Sequence, residues 1–300
     1  MELKEINSLV ELFFKKFEQI TSEKFENREN TFLVSLKRTN KDHLYSSYSW
    51  GKTNNRIKIL STYLKNMITK GDKCILLSEN RPEWLISDIA IMNAGGVTVP
   101  LFTTYSENDY KYIFNDCEPK VCIVSNIEQF KKIENYIKDD TILISIDQFD
   151  KKVVCFNNIF EKSFDNDDID QTKNLYNKNI RRNDLACIIY TSGTTGNPKG
   201  VMLSHGGILS NCEGAREILE SLVKNDLPVF LTWLPLSHSY EHTVQYVQIS
   251  LGAKVFYAES LEKLLPNMSV AKPTIMTAVP RFYQNLHSKI SLNFSKQKGF

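Results

Sequence analysis

Tyr190-Thr191-Ser192-Gly193-Thr194-Thr195-Gly196-Asn197-Pro198-Lys199-Gly200 is the stretch on which the fold of this chain turns. Leu185-Ala186-Cys187-Ile188-Ile189-Tyr190 runs into it as a short apolar segment, the pattern of a buried strand. Val201-Met202-Leu203-Ser204-His205 follows and is expected to lead into a helix. Between Thr191 and Gly200 stand three glycines, four hydroxyls and one lysine. Glycines let backbone N–H groups close around an anion and adopt positive φ. Hydroxyls donate to phosphate oxygens, and Lys199 adds a point charge. Directly after a buried strand, this composition reads as a polyphosphate cradle, against the plainer alternative of a flexible loop. The Walker continuation Gly-Lys-Ser/Thr is missing after both Gly193 and Gly196, and no G-x-G-x-x-G occurs. P-loop and dinucleotide-fold readings therefore lack support.

Composition narrows the field further. Hydrophobic content of 42% and charged content of 24% are those of an ordinary globular chain. With 37 Lys and Arg against 35 Asp and Glu, the net charge of +2 gives no electrostatic case for nucleic acid. The amino terminus, Met1-Glu2-Leu3-Lys4-Glu5, has no long apolar core, so a secretory signal is not expected. No run reaches the roughly eighteen apolar residues that span a bilayer. Cys74, Cys122 and Cys187 sit inside apolar runs, and with Cys117, Cys155 and Cys212 they read as core thiols in a reducing compartment. A cytoplasmic location, with at most peripheral membrane contact, is the expectation.

Outward from the cradle the chain alternates strand and helix. Residues 4–20 carry Leu9, Leu12, Phe13, Phe17 and Ile20 at helical spacing, an amphipathic helix suited to the core or, less simply, to a membrane surface. Residues 45–50 suggest a short strand or turn, and Thr53 is the expected cap of a helix running to Lys70-Gly71. Strands are expected at 73–78, 97–101, 120–124 and 141–146, with helices opened by Pro82 and Ser106 and another at 126–138. After the cradle come a helix at 204–223, a strand at 229–234, a helix at 238–251 and a strand at 254–257. A short helix at 261–265, a strand at 274–277 and a last helix from Pro280 complete the pass. The βαβα rhythm predicts an α/β fold with mostly parallel sheets flanked by helices. An irregular, acidic stretch at 147–182 reads as a linker, dividing residues 1–180 from a second α/β part at 181–300 that opens with the cradle. Asp165 to Asp170 lack the spacing of a calcium loop.

Leu234-Pro235-Leu236-Ser237-His238-Ser239-Tyr240-Glu241-His242 holds a second constellation. His238-Ser239-Tyr240-Glu241-His242 fits the H-x-x-E-H pattern, in which two imidazoles one helical turn apart ligate zinc. The bland alternative is that Glu241 and His242 cap the helix or face solvent.

Ten consecutive positions, Tyr190 to Lys199, closely resemble the phosphate-binding signature of the adenylate-forming, AMP-binding superfamily. Ser78-Glu79-Asn80-Arg81-Pro82-Glu83-Trp84, Ala94-Gly95-Gly96-Val97-Thr98-Val99-Pro100-Leu101 and Val279-Pro280-Arg281-Phe282-Tyr283 resemble segments of its long-chain fatty acid–CoA ligase branch, in order. The Pro-Leu-x-His segment ending at His238, 39 positions after Lys199, resembles that branch too. The resemblance implies the first part of the large N-terminal domain of an acyl-CoA synthetase. It implies ATP, Mg2+ and CoA, with a fatty acid as substrate: the carboxylate attacks the α-phosphate, pyrophosphate leaves, and the CoA thiol displaces AMP. Thr191, Ser192, Gly193, Thr194, Thr195 and Gly196 would cradle the phosphates, Lys199 would add charge near the pyrophosphate, and Thr191 would contact the metal. His238 would stand near the acyl carboxylate. The family's later tyrosine-glycine-x-threonine-glutamate segment, ribose aspartate and lid lysine are not found. The resemblance thus implies a chain of little activity alone, and makes a separately encoded C-terminal half one of its expected partners. A non-catalytic nucleotide- or acyl-binding remnant and an H-x-x-E-H zinc peptidase are the alternatives.

Overall fold

The structure, a computed structural model, describes residues 2–39, 44–162, 176–191, 196–223 and 227–296. Ser192, Gly193, Thr194 and Thr195, like the acidic run 165–170, lie outside the described residues. In chain order the elements are α1 (Leu9–Glu23), β1 (Thr31–Thr39), β2 (Leu44–Ser49), α2 (Trp50–Lys65), β3 (Lys73–Leu77), α3 (Pro82–Ala94) and β4 (Val97–Leu101). Then come α4 (Glu107–Cys117), β5 (Val121–Val124), α5 (Ile127–Ile133), β6 (Ile142–Ser145), β7 (Val154–Cys155) and α6 (Phe156–Lys162). The rest are β8 (Leu185–Thr191), β9 (Lys199–Ser204), α7 (His205–Val223), β10 (Val229–Thr232), α8 (Ser239–Leu251), β11 (Lys254–Tyr257), α9 (Leu264–Ala271) and α10 (Pro280–Lys296).

Two sheets result. The larger has the order β7-β6-β5-β3-β4-β8-β9 and is parallel except for the β8–β9 pair. The smaller has the order β10-β11-β1-β2, with only β1–β2 antiparallel. The inner strands of the larger sheet are apolar on both faces, as strands covered by helices on both sides must be. Trp84, Leu85 and Ile89 of α3 join the cluster on one face, while Tyr110, Ile113 and Phe114 of α4 join the cluster on the other. Connections leaving neighbouring strands toward opposite faces open a crevice at the carboxyl ends of β3 and β4.

The sheets do not divide where the chain changes texture. β8 and β9 extend the sheet begun by β3, and β1 and β2 complete the sheet of β10 and β11. Strand β1 gives no clear alternating signal, because Phe32, Leu33, Val34 and Leu36 are buried on both sides of it. Within 147–182 there is more order than a linker would have: β7 pairs with β6, and Phe156, Ile159 and Phe160 of α6 are buried. Residues 261–265 are not the expected helix, which instead spans Leu264–Ala271. Residues 274–277 make only an isolated bridge, Ile275 to Phe230, and no strand.

Helix ends follow local chemistry. Ser106 and Asp109 form a reciprocal capping box at α4, and Gly95 closes α3 at φ 100°, a conformation glycine adopts without penalty. Thr53 is not the cap of α2. The helix begins earlier, because the Ser49 hydroxyl accepts from the Lys52 amide at 3.1 Å, and Thr53 donates to the Ser49 carbonyl from inside the first turn. Ser49→Ala should cost about 1 kcal/mol in urea denaturation, the usual worth of such a cap. Helix α1 buries Leu9, Val10, Leu12, Phe13 and Phe14, so its apolar stripe is used by the core and not by a membrane. All six cysteines are free and buried.

Candidate functional site

Thr191 ends β8 and pairs directly across with Lys199, which begins β9. The signature therefore sits on an antiparallel hairpin, and Val201 to Ser204 continue as strand, not as the expected helix, which starts at His205. Pairing of the two strands consumes backbone donors that a helix would have used internally. Thr191, Gly196 and Lys199 are exposed at the carboxyl end of the sheet. Gly196 has φ 113°, a value that demands glycine, and a methyl group on Gly200 would fall 2.9 Å from the Ile188 side chain. Gly196 is thus required by its backbone conformation, and Gly200 by the side chains packed against it.

The root of the hairpin is fixed by tyrosines. The Tyr190 hydroxyl donates to Asp116 at 2.5 Å, and the Tyr105 hydroxyl donates to the Tyr190 carbonyl at 2.6 Å. Burial, then Asp116, keeps the Tyr190 phenol protonated far above neutral pH. Tyr105 carries the connection onward: its ring meets Phe102 edge-on at 5.2 Å, and Phe102 meets the His238 ring at 6.4 Å. The hairpin and the His238 loop, far apart in sequence, are brought to one end of the molecule by the turn after β4.

Asn80 holds that second loop. Its amide nitrogen donates to the Leu234 carbonyl at 2.7 Å, and its oxygen accepts from the Leu236 amide at 3.0 Å. A cleft of about 220 Å3 lies here, lined by Glu79, Asn80, Phe102, Thr103, Trp233 and Ser237 among others. Its walls come from the carboxyl ends of strands in both sheets, the usual position of ligands in open α/β folds. A larger cavity of about 770 Å3 opens at the opposite ends of β3, β4 and β8, beside Lys73, Val97 and Leu185, and includes none of the predicted site residues.

His238 is exposed and caps α8, its Nδ1 accepting from the Tyr240 amide at 3.2 Å. His242 is fully buried, with Nε2 2.8 Å from Asp88, and the Tyr246 hydroxyl donates to the same carboxylate at 2.5 Å. Glu241 is buried as well and accepts from Thr277 at 2.9 Å. One imidazole is spent on a helix cap and the other on a buried ion pair, so the zinc arrangement does not form. Among the described residues no three His, Cys, Asp or Glu side chains are grouped to hold a metal. The expectation that Glu241 and His242 cap the helix or face solvent also fails. Burial resists a charge on His242, but Asp88 outweighs it and pushes the imidazole up to about 10. Burial pushes the Glu241 carboxyl up to about 7, against the Thr277 and Thr232 hydroxyls.

Asn80, Asp88, Tyr105 and Asp116 were not among the expected site residues. Each acts through a contact long in sequence, 154 residues in the case of Asn80 to Leu234, and no local pattern carries that information. His205 belongs to the same group. Burial pushes it down to about 4, and its neutral Nδ1 accepts from the Leu9 amide, tying α7 to α1.

Residues 24–299 match the family of AMP-binding enzymes. The chain belongs to the AMP-binding enzyme family. Fatty acyl-CoA synthetase A of Dictyostelium discoideum is 31% identical over 237 residues, which are 74% of this chain and 34% of that protein. Long-chain-fatty-acid–CoA ligase 5 of Rattus norvegicus is 32% identical over 263 residues, 82% of this chain and 38% of the relative. The chain thus spans little more than a third of the length of these relatives. The fold is that of solved adenylate-forming enzymes. ATP-bound MatB from Rhodopseudomonas palustris superposes with a TM-score of 0.69 at 22% identity, covering 94% of this chain and 51% of that one. A luciferase-like enzyme from the mealworm Zophobas morio gives 0.74 at 20% identity, covering 92% and 60%. Among the described residues no helix is long and apolar enough to cross a membrane.

Proposed function

We propose that this AMP-binding chain takes part in ATP-dependent activation of a fatty acid to acyl-AMP and its transfer to CoA, as a fatty acid–CoA ligase. The observation that carries the reading is the Thr191–Lys199 pair: a hydroxyl and an ammonium opposed across a hairpin, at the carboxyl end of a parallel sheet. That pair flanks Ser192 to Thr195, the family's phosphate-binding run.

The chemistry asks little of a general base, because a fatty-acid carboxylate is already a nucleophile. Catalysis then rests on position and on neutralising phosphate charge. Lys199 supplies a cation close to where the β- and γ-phosphates would lie. Gly196 and Gly200 allow the backbone to approach them. His238, on the rim of the cleft walled by Asn80 and Phe102, would donate to the acyl carboxylate or α-phosphate. Trp233 and Ser237 would border the acyl group.

Mg2+ fits this site in a limited way. Thr191 offers one hard oxygen, and no acidic cluster stands among the described residues, so the remaining ligands would be phosphate oxygens and water. Bound there, the ion would neutralise phosphate charge as pyrophosphate departs.

Calorimetry with ATP tests the reading. Lys199→Ala should weaken ATP binding by about 10- to 100-fold, the worth of one charge-assisted contact to phosphate. Equal affinity for both proteins would remove Lys199 from the cradle. Failure of the unaltered chain to bind ATP would count against the whole assignment.

A further inference from the structure

Glu79, Asn80 and Arg81 are consecutive, and their side chains fasten to three different parts of the molecule. Glu79 accepts from the Gln129 side chain of α5 at 2.7 Å. Asn80 holds the Leu234 carbonyl and the Leu236 amide. Arg81 reaches elsewhere. Its two terminal nitrogens donate to the Asp147 carboxylate at 3.0 and 2.9 Å, and its Nε donates to Glu83 at 2.8 Å. Arg81 directly precedes α3, yet its side chain caps no amide of that helix. The helix opens on Pro82, which has no N–H to cap.

Each partner of Arg81 is itself held. The Asp147 amide donates to the Ser125 carbonyl at 2.9 Å, which ties the residue to the end of the larger sheet just past β6. Glu83 lies in the first turn of α3, and its other oxygen accepts from the Tyr48 hydroxyl of β2 at 2.7 Å. Burial resists a charge on Glu83, but Arg81 keeps its carboxyl below the ordinary range. One guanidinium thus joins the larger sheet, through Asp147, to the smaller sheet, through Glu83 and Tyr48. The Arg81 side chain is 22% exposed and that of Glu83 13%, so this is not the solvent-screened kind of pair that contributes little.

We infer that Arg81 is a positioning residue for the turn that displays His238, acting through Asn80. An asparagine side chain can hold a distant loop only where its own backbone is fixed. Glu79 fixes that backbone on one side and Arg81 on the other. The planar guanidinium makes all three of its hydrogen bonds in a set geometry, which the single ammonium of a lysine does not reproduce. Asn80 then grips the turn at Leu234 and Leu236, and within that turn the Pro235 carbonyl accepts from the His238 amide at 3.0 Å. Leu236 is held in this way whether or not the chain is an acyl ligase. The bearing on ligand rests on that reading, which sets His238 beside the acyl carboxylate.

Hydrogen exchange at the Leu236 amide of the 300-residue chain reads the positioning directly. Arg81→Lys keeps the charge and loses the fork, and should speed that exchange by roughly tenfold, the worth of one charge-assisted hydrogen bond. Asp147→Asn, at a position 50% exposed, should act in the same direction. Exchange at Ile123, inside β5, should change less in both variants. In an Asn80→Ala background Arg81→Lys should add nothing at Leu236, because the residue through which it acts is gone. Calorimetry supplies the second readout, with ATP and with hexadecanoyl sulfamoyl adenosine, a stable mimic of an acyl-AMP. Arg81→Lys should weaken the mimic by about 5- to 10-fold. ATP should stay within about twofold, since the hairpin is rooted on Tyr105 and Asp116. Equal acceleration at Leu236 and Ile123, additive effects of Arg81→Lys and Asn80→Ala at Leu236, or equal losses for the two probes overturns the inference. An unaltered chain that binds neither probe, with Leu236 behaving as expected, sinks the acyl-ligase reading and leaves Arg81 as the residue that positions the turn.

Discussion

Asp88→Ala should destabilise the chain by about 3–5 kcal/mol, the cost of stranding a buried charge without its partner. Asp88 and His242 are both inaccessible to water, 2.8 Å apart, and Tyr246 donates to the same carboxylate. The stranded group would be His242, wedged edge-on against Trp84 at 5.2 Å. The pair also makes stability depend on pH. His242 is raised from its ordinary 6.5 to about 10, so its contribution is complete below pH 6.5 and drains away as pH rises toward 10. Burial opposes the Asp88 charge, but His242 and the Tyr246 hydroxyl hold its carboxyl below the ordinary 3.8. Its contribution is therefore present above 3.8 and is lost as pH falls below it. Between pH 4 and 6.5 both are in place. The unfolding free energy from urea denaturation should decline from pH 6.5 to 10, by an amount on the order of 3–5 kcal/mol. The double variant Asp88→Asn, His242→Gln should flatten that decline. Equal slopes in the two proteins would show that the pair does not drive it.

Asn80→Ala should cost about 2–4 kcal/mol, because it orphans the Leu234 carbonyl and the Leu236 amide together. The effect has a local signature. Hydrogen exchange at the Leu236 amide should accelerate in Asn80→Ala, since its acceptor is gone. Asn80→Asp keeps an oxygen for Leu236 but sets a carboxylate oxygen against the Leu234 carbonyl, so Leu236 protection should outlast that in Asn80→Ala while stability still falls. Slow exchange at Leu236 in Asn80→Ala would mean that another group holds the loop. The consequence for function follows from place. Asn80 is the contact that sets the turn between β10 and α8, and His238 is displayed by that turn.

The elements legible in the sequence are those whose cause is local. Pro82 at the start of α3, Ser106 and Asp109 at α4, and Gly95 and Gly252 at positive φ all announce themselves, because caps and turns are decided within four residues. The apolar strands β3, β4, β5 and β8 were legible for the same reason. The hairpin at β9 was not. Lys199 to Ser204 are largely exposed, so they lack the apolar run of a buried strand, and their conformation comes from pairing with β8. Strand β1 was missed because, besides its neighbour β2, it is held by β11, more than 200 residues away. The histidines of the H-x-x-E-H pattern show the same limit. Their spacing on a helix is a local fact, but which imidazole meets Asp88 depends on how α8 lies against α3.

By itself, the sequence determined a chain of alternating strands and helices and a glycine- and hydroxyl-rich run that resembles the signature of the AMP-binding family. Both depend on residue types at short spacing: apolar periodicity, capping hydroxyls, and glycines that permit backbone approach. Only the tertiary structure decided that Thr191 faces Lys199 and that the Tyr105 and Phe102 rings link this hairpin to His238. Only it decided that Glu241 and His242 are buried and that Asn80 anchors the loop between. The physical reason is common to all of these. Each is a contact between segments distant in the chain, made favourable by burial and hydrogen bonding that exist only once the two sheets have come together.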